Sequence, residues 1–509
     1  MGYTPVKINR ALISVTDKSH LGPLATVLHQ RGVEIISTGG TGRFLQEAGI
    51  PYLPIEDVTG SPEAFAGRMK SISFQISSAL LFRRSDPQDC QQAQELGIKP
   101  IDLVVCNLYP FAQVAKESAD FSTLIENIDI GGPTMIRAAA KNLEAVTVLT
   151  DPSDYQEFIT LLQQDDGTID GESRQNFALK AFRLTAEYDT MIAATLNPTP
   201  LRYGENPHQR GWVVPNSVGR GLAGCKPIQG KALSYNNYLD ADAALRSCAD
   251  LASTNSNGHS VTIIKHSNPC GAAIAQKPLH ALQNAWAGDP VSAFGSIIAI
   301  SSEVNGEIAQ WLSDKFVEVV LAPSFSADAQ EIFARKKNLR LLAMPISYNQ
   351  TKLVERTIDG GRVVQEEDSH FDHSLQSVTK IPYPTELTAL GKFGIMVTKH
   401  LRSNAIALVF QNSQNEFSLA GAGMGNPNRL ISHQQAFDKA KSNGHQDLSQ
   451  MVLISDAFFP FADNIQIAHQ AGVRQVIQPG GSIKDQEVIA TCNQLEVAMA
   501  FTKSRHFRH

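Results

Sequence analysis

At 509 residues the chain exceeds what one compact core accommodates, and its size predicts roughly two to four domains. Hydrophobic residues make up 42% and charged residues 18%, with 50 acidic against 44 basic side chains and a net charge of −6; this excludes bulk attraction to nucleic acid or acidic lipid but leaves room for a local basic pocket that takes an anionic small molecule. Six scattered cysteines (Cys90, Cys106, Cys225, Cys248, Cys270 and Cys492) form no C-x-x-C pair, so neither a disulfide nor a zinc framework is expected, and a reducing, cytoplasmic setting fits.

The opening MGYTPVKINRALISV carries no long apolar run before a cleavage site, so no secretory signal is expected. No later run approaches ~18 consecutive apolar residues, so no membrane span is expected either. RALISVT reads as a strand, LGPLATVLHQRG as a helix stopped at Gly32, VEIIS as a strand, and TGRFLQEAG as a helix stopped at Gly49. IDLVVCNLYPF has the pattern of a buried strand, MIRAAAKN of a helix, AVTVLT of a strand and SDYQEFITLLQQ of a helix. This alternation predicts an α/β fold with a parallel sheet and helices on both faces. The breaker-rich LNPTPLRYGENPHQ then sets a domain boundary at residue 198. Beyond it, VTIIKHSNPCGAAIA echoes IMVTKHLRSNAIALV, aligning Lys265-His266 with Lys399-His400, and DPVSAF (from Asp289) echoes DAFFPF (from Asp456). The echo predicts two related α/β subdomains, about 199–370 and 371–509.

Candidate chemistry gathers at the predicted element ends. Ser37-Thr38-Gly39-Gly40-Thr41-Gly42 runs from a strand into a helix; it reads either as a tight turn or as a backbone anion site, because small residues admit a ligand to free N–H groups. Arg68 and Lys70 are two cations near a loop end, equally readable as solvated surface charge. Asn107 and Tyr109 follow an apolar strand, where parallel sheets place their ligand crevice. Asp129, Ile130 and Gly131 meet a helix start, while Lys141 stands where it would cap that helix's other end. Downstream, Lys265-His266 closes a strand: histidine moves protons near neutrality, and a neighbouring ammonium stabilises developing negative charge. Phe294, Asn404, Arg429 and Asp463 fall in turn-like places, and Arg505 and Phe507 in a basic, aromatic tail. His370-x-x-His373 lacks a third ligand at useful spacing, so no metal site is expected.

Taken in order, SVTDKSHL, IISTGGTGRFLQEAGI, GRMKS, CNLYPF, IENIDIGGPTMIRAAAKN, LRYGENPHQ, GKALSYNNYLDADAA, IIKHSNPCGAA, DPVSAFGSIIA, SDAFFPFADN, IQPGGSIKDQEVI and RHFRH resemble the bifunctional formyltransferase/IMP cyclohydrolase family of purine synthesis across nearly the whole chain. The resemblance implies a methylglyoxal-synthase-like cyclohydrolase domain over 1–198 and a formyltransferase region over 199–509, built of two cytidine-deaminase-like subdomains without the deaminase zinc. It implies formyl transfer from 10-formyltetrahydrofolate, a cosubstrate, to the aminoimidazole carboxamide ribonucleotide, then dehydrative closure to IMP. It also implies a homodimer with formyltransferase sites at the interface, small-molecule partners only, and no required metal, nucleic acid or membrane.

By the same resemblance, Lys265 and His266 stand at the formyltransferase centre, with Arg202, Tyr203, Phe294, Gly295, Glu318, Asn404, Arg429, Asp463, Arg505 and Phe507 lining the nucleotide and folate site. In the cyclohydrolase domain, Ser14, Lys18, Ser37, Gly39, Gly40 and Thr41 match the phosphate end. Arg68, Lys70, Ser71, Asn107, Tyr109, Asp129, Ile130, Gly131 and Lys141 match the reacting end. Lys70 and Tyr109 are assigned to the formyl oxygen, and Asp129, oriented by Lys141, to the amide proton.

Two departures stand out. After GRMKS the family continues T-L-H-P and then I-H-G-G, whereas this chain reads ISFQISSALLFRR, with Ser71 for the usual threonine. The alternative is a formyltransferase whose cyclohydrolase is weakened or lost through this segment. The second departure is GMGNPNR, where Asn426 replaces a family glutamine and Pro427 stiffens the loop before Arg429.

Overall fold

The computed structural model describes residues 4–65, 68–117, 120–196, 199–215, 221–254, 258–350, 353–370 and 374–509. Gly67 of the cationic loop, Pro198 at the expected boundary and His373 lie outside them. The chain divides into two compact units, Met1–Pro198 and Thr199–His509.

In the first unit, five parallel strands stand in the order Leu53–Pro54, Glu34–Ser37, Arg10–Ser14, Leu103–Cys106, Thr147–Leu149. The period-2 alternation of side chains assigns each strand residue to a face. Ala11, Ile13, Leu103 and Val105 pack under Leu21, Leu24 and Leu28 of one helix and Tyr155 and Phe158 of another. Leu12, Val104 and Cys106 pack on the opposite face against Met135, Ile136, Ala178 and Ala181. A sheet covered on both faces leaves its strand ends as the open crevice.

The segment that departs from the family forms part of that second layer. Helix Phe74–Leu81 starts at Ser73, whose hydroxyl accepts from the Ile76 N–H at 3.1 Å. Its Ile76, Ala79 and Leu80 are buried against the sheet.

The second unit holds an eleven-stranded sheet, and its plan is a repeat. A helix (Tyr235–Thr254), a hairpin (His259–Lys265 with Asn268–Ala275) and a helix (Pro278–Ala287) lead into three parallel strands, Ser296–Ile300, Val317–Ala322 and Arg340–Ala343, separated by helices Gly306–Leu312 and Ala327–Phe333. The same order returns as helix Thr388–Lys399, hairpin Ile406–Gln411 with Phe417–Gly423, helix Arg429–Ser442 and strands Val452–Ser455, Gln475–Gln478 and Ala498–Phe501, separated by helices Asp463–Gln470 and Asp485–Gln494. The two hairpins join antiparallel through Ala273 opposite Ser418.

The repeat is not the one the sequence echo aligned. Lys265 ends a strand, whereas Lys399 ends a helix. Asp289 precedes the strand Ser296–Ile300, whereas Asp456 follows the strand Val452–Ser455. What recurs is close helix–strand approach: a Cβ on Gly271 would strike the Ala285 carbonyl, and one on Gly423 the Ser432 carbonyl. Lys399 and His400 are buried on Asp250, at 2.9 and 2.7 Å. Burial acts to raise the Asp250 carboxyl, but the bond and charge of His400 and the charge of Lys399 outweigh it and hold the group below the ordinary value. That pair therefore ties the second repeat's helix to the first's.

Candidate functional sites

At the strand ends of the first unit lies a cavity of about 900 Å³, within the range of small-molecule sites, ~300–1,000 Å³. Two helices begin in it, Gly39–Glu47 and Gly131–Lys141, and each directs free N–H groups toward it. Consecutive residues connect them. A Cβ on Gly39 would lie 2.9 Å from the Lys70 ammonium, and a Cβ on Gly131 would lie 2.7 Å from the Ser71 hydroxyl. The phosphate and reacting ends inferred from the motifs therefore meet at Lys70. An ammonium beside a helix N-terminus is two positive features together, and an anion suits the space between them.

Ser14, Lys18, Gly40 and Thr41 line this cavity, as do Arg68, Lys70, Ser71, Asn107, Tyr109, Asp129, Ile130 and Gly131. Several are themselves fixed. Ser14 and Thr38 share a hydroxyl bond at 2.9 Å, and the Thr41 hydroxyl bonds Val15 at both backbone groups, 3.0 Å each. The Asn107 amide oxygen accepts from the N–H groups of Thr16 and Asp17 at 2.7 and 3.1 Å, so it clamps the loop after the first strand. Asp129 accepts from the Gly132 N–H at 2.8 Å, while its own N–H donates to the Tyr188 hydroxyl at 2.8 Å. Burial raises the Asp129 carboxyl above its ordinary value, against the Gly132 N–H bond that lowers it. Burial also pushes up the neighbouring Cys106 thiol, which keeps it protonated.

Three of the motif-derived residues stand apart from the lining. Ser37 is buried and its hydroxyl donates to the Ile13 carbonyl at 2.9 Å. Gly39 serves through its lack of a side chain. Lys141 is exposed at the far end of an 11-residue helix, about 16 Å from Gly131 at ~1.5 Å per residue. Within the chain it does not orient Asp129; the Gly132 N–H and Tyr188 do. Two more carboxylates line the cavity: Glu63, outside every motif and 2.7 Å from Lys70, and Glu126, which opens the IENIDIGG motif and pairs with Arg68.

In the second unit, the strand directions place Lys265, Phe294, Glu318, Asn404, Arg429, Asp463 and the tail at one edge of the sheet. The Lys265 ammonium donates to the carbonyls of Phe294 and Gly295 at 3.1 and 3.0 Å. Gly295 is required there: its φ is +68°, and a Cβ would lie 3.2 Å from that ammonium. The exposed Phe294 ring lies 5.0 Å from that of Phe316, a residue without a motif. Glu318 accepts from Asn237 at 2.9 Å, and Arg202 lies 5.2 Å from the Tyr203 ring centre.

A second group forms around Arg429, which donates to Asn404 at 2.7 Å and pairs with Asp456 at 3.0 Å. Asn426 turns its amide toward Ser432 and Gln435, at 3.0 and 2.8 Å, so it ties its loop to the following helix. Asp463 begins a helix and accepts from Asn464 at 2.7 Å. The tail is held: Arg508 and Ser403 exchange bonds at 2.8 and 3.1 Å, and Arg505 lies 4.5 Å from the Phe507 ring centre. The strands of Lys265 and Ile406 stand three steps apart in the sheet, about 14 Å at ~4.8 Å per step. The Lys265 and Arg429 groups are therefore separate along an open edge. Among the described residues no group of three or more His, Cys, Asp or Glu side chains is placed to hold a metal ion, and no helix is long and apolar enough to cross a membrane.

Residues 139–439 match the family model described as AICARFT/IMPCHase bienzyme, and residues 20–134 match that of an MGS-like domain. The chain is 42% identical to the bifunctional purine biosynthesis protein PurH of Aquifex aeolicus, over 98% of this chain and 100% of that protein. The PurH proteins of Halalkalibacterium halodurans and Agrobacterium fabrum are each 42% identical too, over 98% and 99% of this chain and 99% and 98% of theirs.

Proposed function

Because the chain belongs to the AICARFT/IMPCHase bienzyme family, we propose that its two units divide the family's two reactions, with ring closure in residues 1–198 and formyl transfer in residues 199–509. The chain converts 5-aminoimidazole-4-carboxamide ribonucleotide (AICAR) to its formyl derivative (FAICAR) with a folate-borne formyl group, and closes FAICAR to IMP. The single observation that carries the division is the Lys70-Ser71 step between two helix starts in one cavity, with Asp129 beside the second.

The helix start at Gly39, with Lys18 and Thr41, binds the nucleotide phosphate. FAICAR then closes when its carboxamide nitrogen attacks the formyl carbon; the formylamino nitrogen gives up its proton to form the ring C=N bond as the formyl oxygen leaves as water. Lys70 and Tyr109 donate to that oxygen, and Asp129, ionised, takes the amide proton. In formyl transfer the AICAR amine attacks the formyl carbon of 10-formyltetrahydrofolate. His266 takes the amine proton, Lys265 stabilises the oxyanion, and N10 leaves protonated as tetrahydrofolate. Asn404, Arg429, Asp463, Arg505 and Phe507 contribute from the other group. The separation along the open edge supports a homodimer in which each formyltransferase site draws its two groups from two copies. The repeat of helix, hairpin and parallel strands supports a pair of cytidine-deaminase-like subdomains. Six unpaired cysteines suit the cytoplasm.

The test supplies AICAR and 10-formyltetrahydrofolate to purified enzyme and follows tetrahydrofolate and IMP separately. Asp129→Asn should accumulate FAICAR while tetrahydrofolate forms at the full rate, and Lys265→Ala should abolish tetrahydrofolate release while supplied FAICAR still closes. If either variant loses both products alike, the division is wrong.

A further inference from the structure

The residue that moves the proton in formyl transfer sits in an unfavourable backbone conformation, and something must hold it there. His266 and Ser267 connect two strands whose last paired residues are Lys265 and Asn268, so they form a two-residue hairpin turn. Their φ angles are +53° and +60°. Both central residues of such a turn occupy the left-handed region, which favours Asn-Gly and penalises a residue with a Cβ. Histidine and serine are poor choices for the turn itself.

The compensation comes from helix Tyr235–Thr254. The Asp240 carboxylate accepts from the His266 N–H at 3.2 Å and, through its other oxygen, from the Ser267 N–H at 2.7 Å. One side chain thus satisfies both backbone donors of the turn, with charge-assisted bonds. On the other side, Asn268 donates to the His266 carbonyl at 2.9 Å. Asp240 has no role in the chemistry described above, since it meets the turn's backbone and, at 3.4 Å, the Ser267 hydroxyl, and not the imidazole.

We propose that Asp240 is a positioning residue for formyl transfer: its carboxylate clamps the His266-Ser267 turn in the left-handed conformation that presents His266 beside Lys265 at the sheet edge. The inference rests on the proton-transfer reading of His266. Without the clamp the turn relaxes toward conformations that residues with a Cβ prefer, and the imidazole leaves its place. Misplacement of a proton-transfer group lowers turnover while substrate contacts made elsewhere persist.

The experiment compares Asp240→Ala, Asp240→Asn, Asp240→Ala/Ser267→Gly and His266→Ala in the full-length protein. Each is assayed for formyl transfer with AICAR and 10-formyltetrahydrofolate and, as an internal control for folding, for closure of supplied FAICAR. Asp240→Ala should lower the formyl-transfer kcat about tenfold or more, leave KM for both substrates within about twofold, and leave ring closure unchanged. Asp240→Asn keeps an acceptor oxygen and should lose less. Glycine adopts positive φ without a Cβ penalty, so Ser267→Gly should restore at least about threefold of the loss in the Asp240→Ala background. A kcat in Asp240→Ala within about twofold of the parent overturns the proposal, as does a loss that Ser267→Gly fails to relieve. Loss of both activities together would reduce Asp240 to a structural residue and overturn it as well. Full formyl transfer in His266→Ala removes the proton-transfer reading and this inference with it. An inactive His266→Ala beside a fully active Asp240→Ala removes only this inference.

Discussion

Asp129 shows how burial serves and costs at once. Burial raises its carboxyl above the ordinary value, which strengthens it as a base but makes its ionised form expensive in the folded chain. If Asp129 takes the amide proton in ring closure, as proposed, the acid limb of that step should lie at higher pH than an ordinary aspartate would set. A pH profile of FAICAR closure reads this directly. The stability sign is the opposite: with the folded value raised, the carboxyl contributes stability below its unfolded value, and that contribution is lost as pH rises through the folded one. Asp129→Asn keeps an acceptor for the Gly132 N–H and should lower closure by ~10²-fold or more, while at neutral pH its melting temperature should equal or exceed the parent's. The glycine beside it has no such latitude. A Cβ on Gly132 would stand 2.6 Å from the Asp129 carboxylate and 2.8 Å from Leu108. Gly132→Ala should therefore cost about 1–3 kcal/mol in denaturant unfolding and reduce ring closure.

Among the elements, helix Phe74–Leu81 deserves the comparison with its sequence. Although the segment lacks the family's usual histidines and glycines, the matched residues on either side of it imply that ring closure persists, with a weakened or lost cyclohydrolase as the alternative. The segment's pattern of Ile76, Ala79 and Leu80 makes one apolar helix face, and that face completes the second layer of the sheet. The helix follows directly on Lys70 and Ser71, so its packing sets where they stand. Leu80→Ala should cost about 2–5 kcal/mol, and closure should weaken with it if the helix anchors the Lys70-Ser71 step. Formyl transfer measured in the same sample separates loss of that anchor from general unfolding. The echo teaches the converse lesson. Lys265-His266 and Lys399-His400 are the same dipeptide, yet one closes a strand and the other a helix. Short identities carry no memory of which element they sit in; the order of helices and strands does.

For the whole molecule, the open edge of the second unit makes a testable demand. If two copies complete each formyltransferase site and ring closure uses the cavity of the first unit alone, the specific rate of formyl transfer should fall on dilution through the dimer dissociation range, while that of ring closure should not. Parallel rates across dilution, with sedimentation showing monomers at the low end, would rule out shared sites.

Much of this was legible from the chain alone. Continuous apolar strands alternating with helices predict a parallel sheet covered on both faces, and a ligand crevice at its strand ends follows from that geometry. Glycine pairs before helices marked both anion-favouring starts, because glycine is what a close approach leaves room for. Lys265 and His266 were legible as a strand-end pair. What the chain alone did not reveal depends on distances between residues far apart in sequence. Lys70 stands by Gly39, Lys141 stands a helix length from Asp129, Glu63 and Glu126 face the cavity cations, and Asp240 reaches the turn from a preceding helix. Local pattern determines which elements form, since that is decided by the backbone period and the side chains within it. Which charges then meet is decided only when the elements pack.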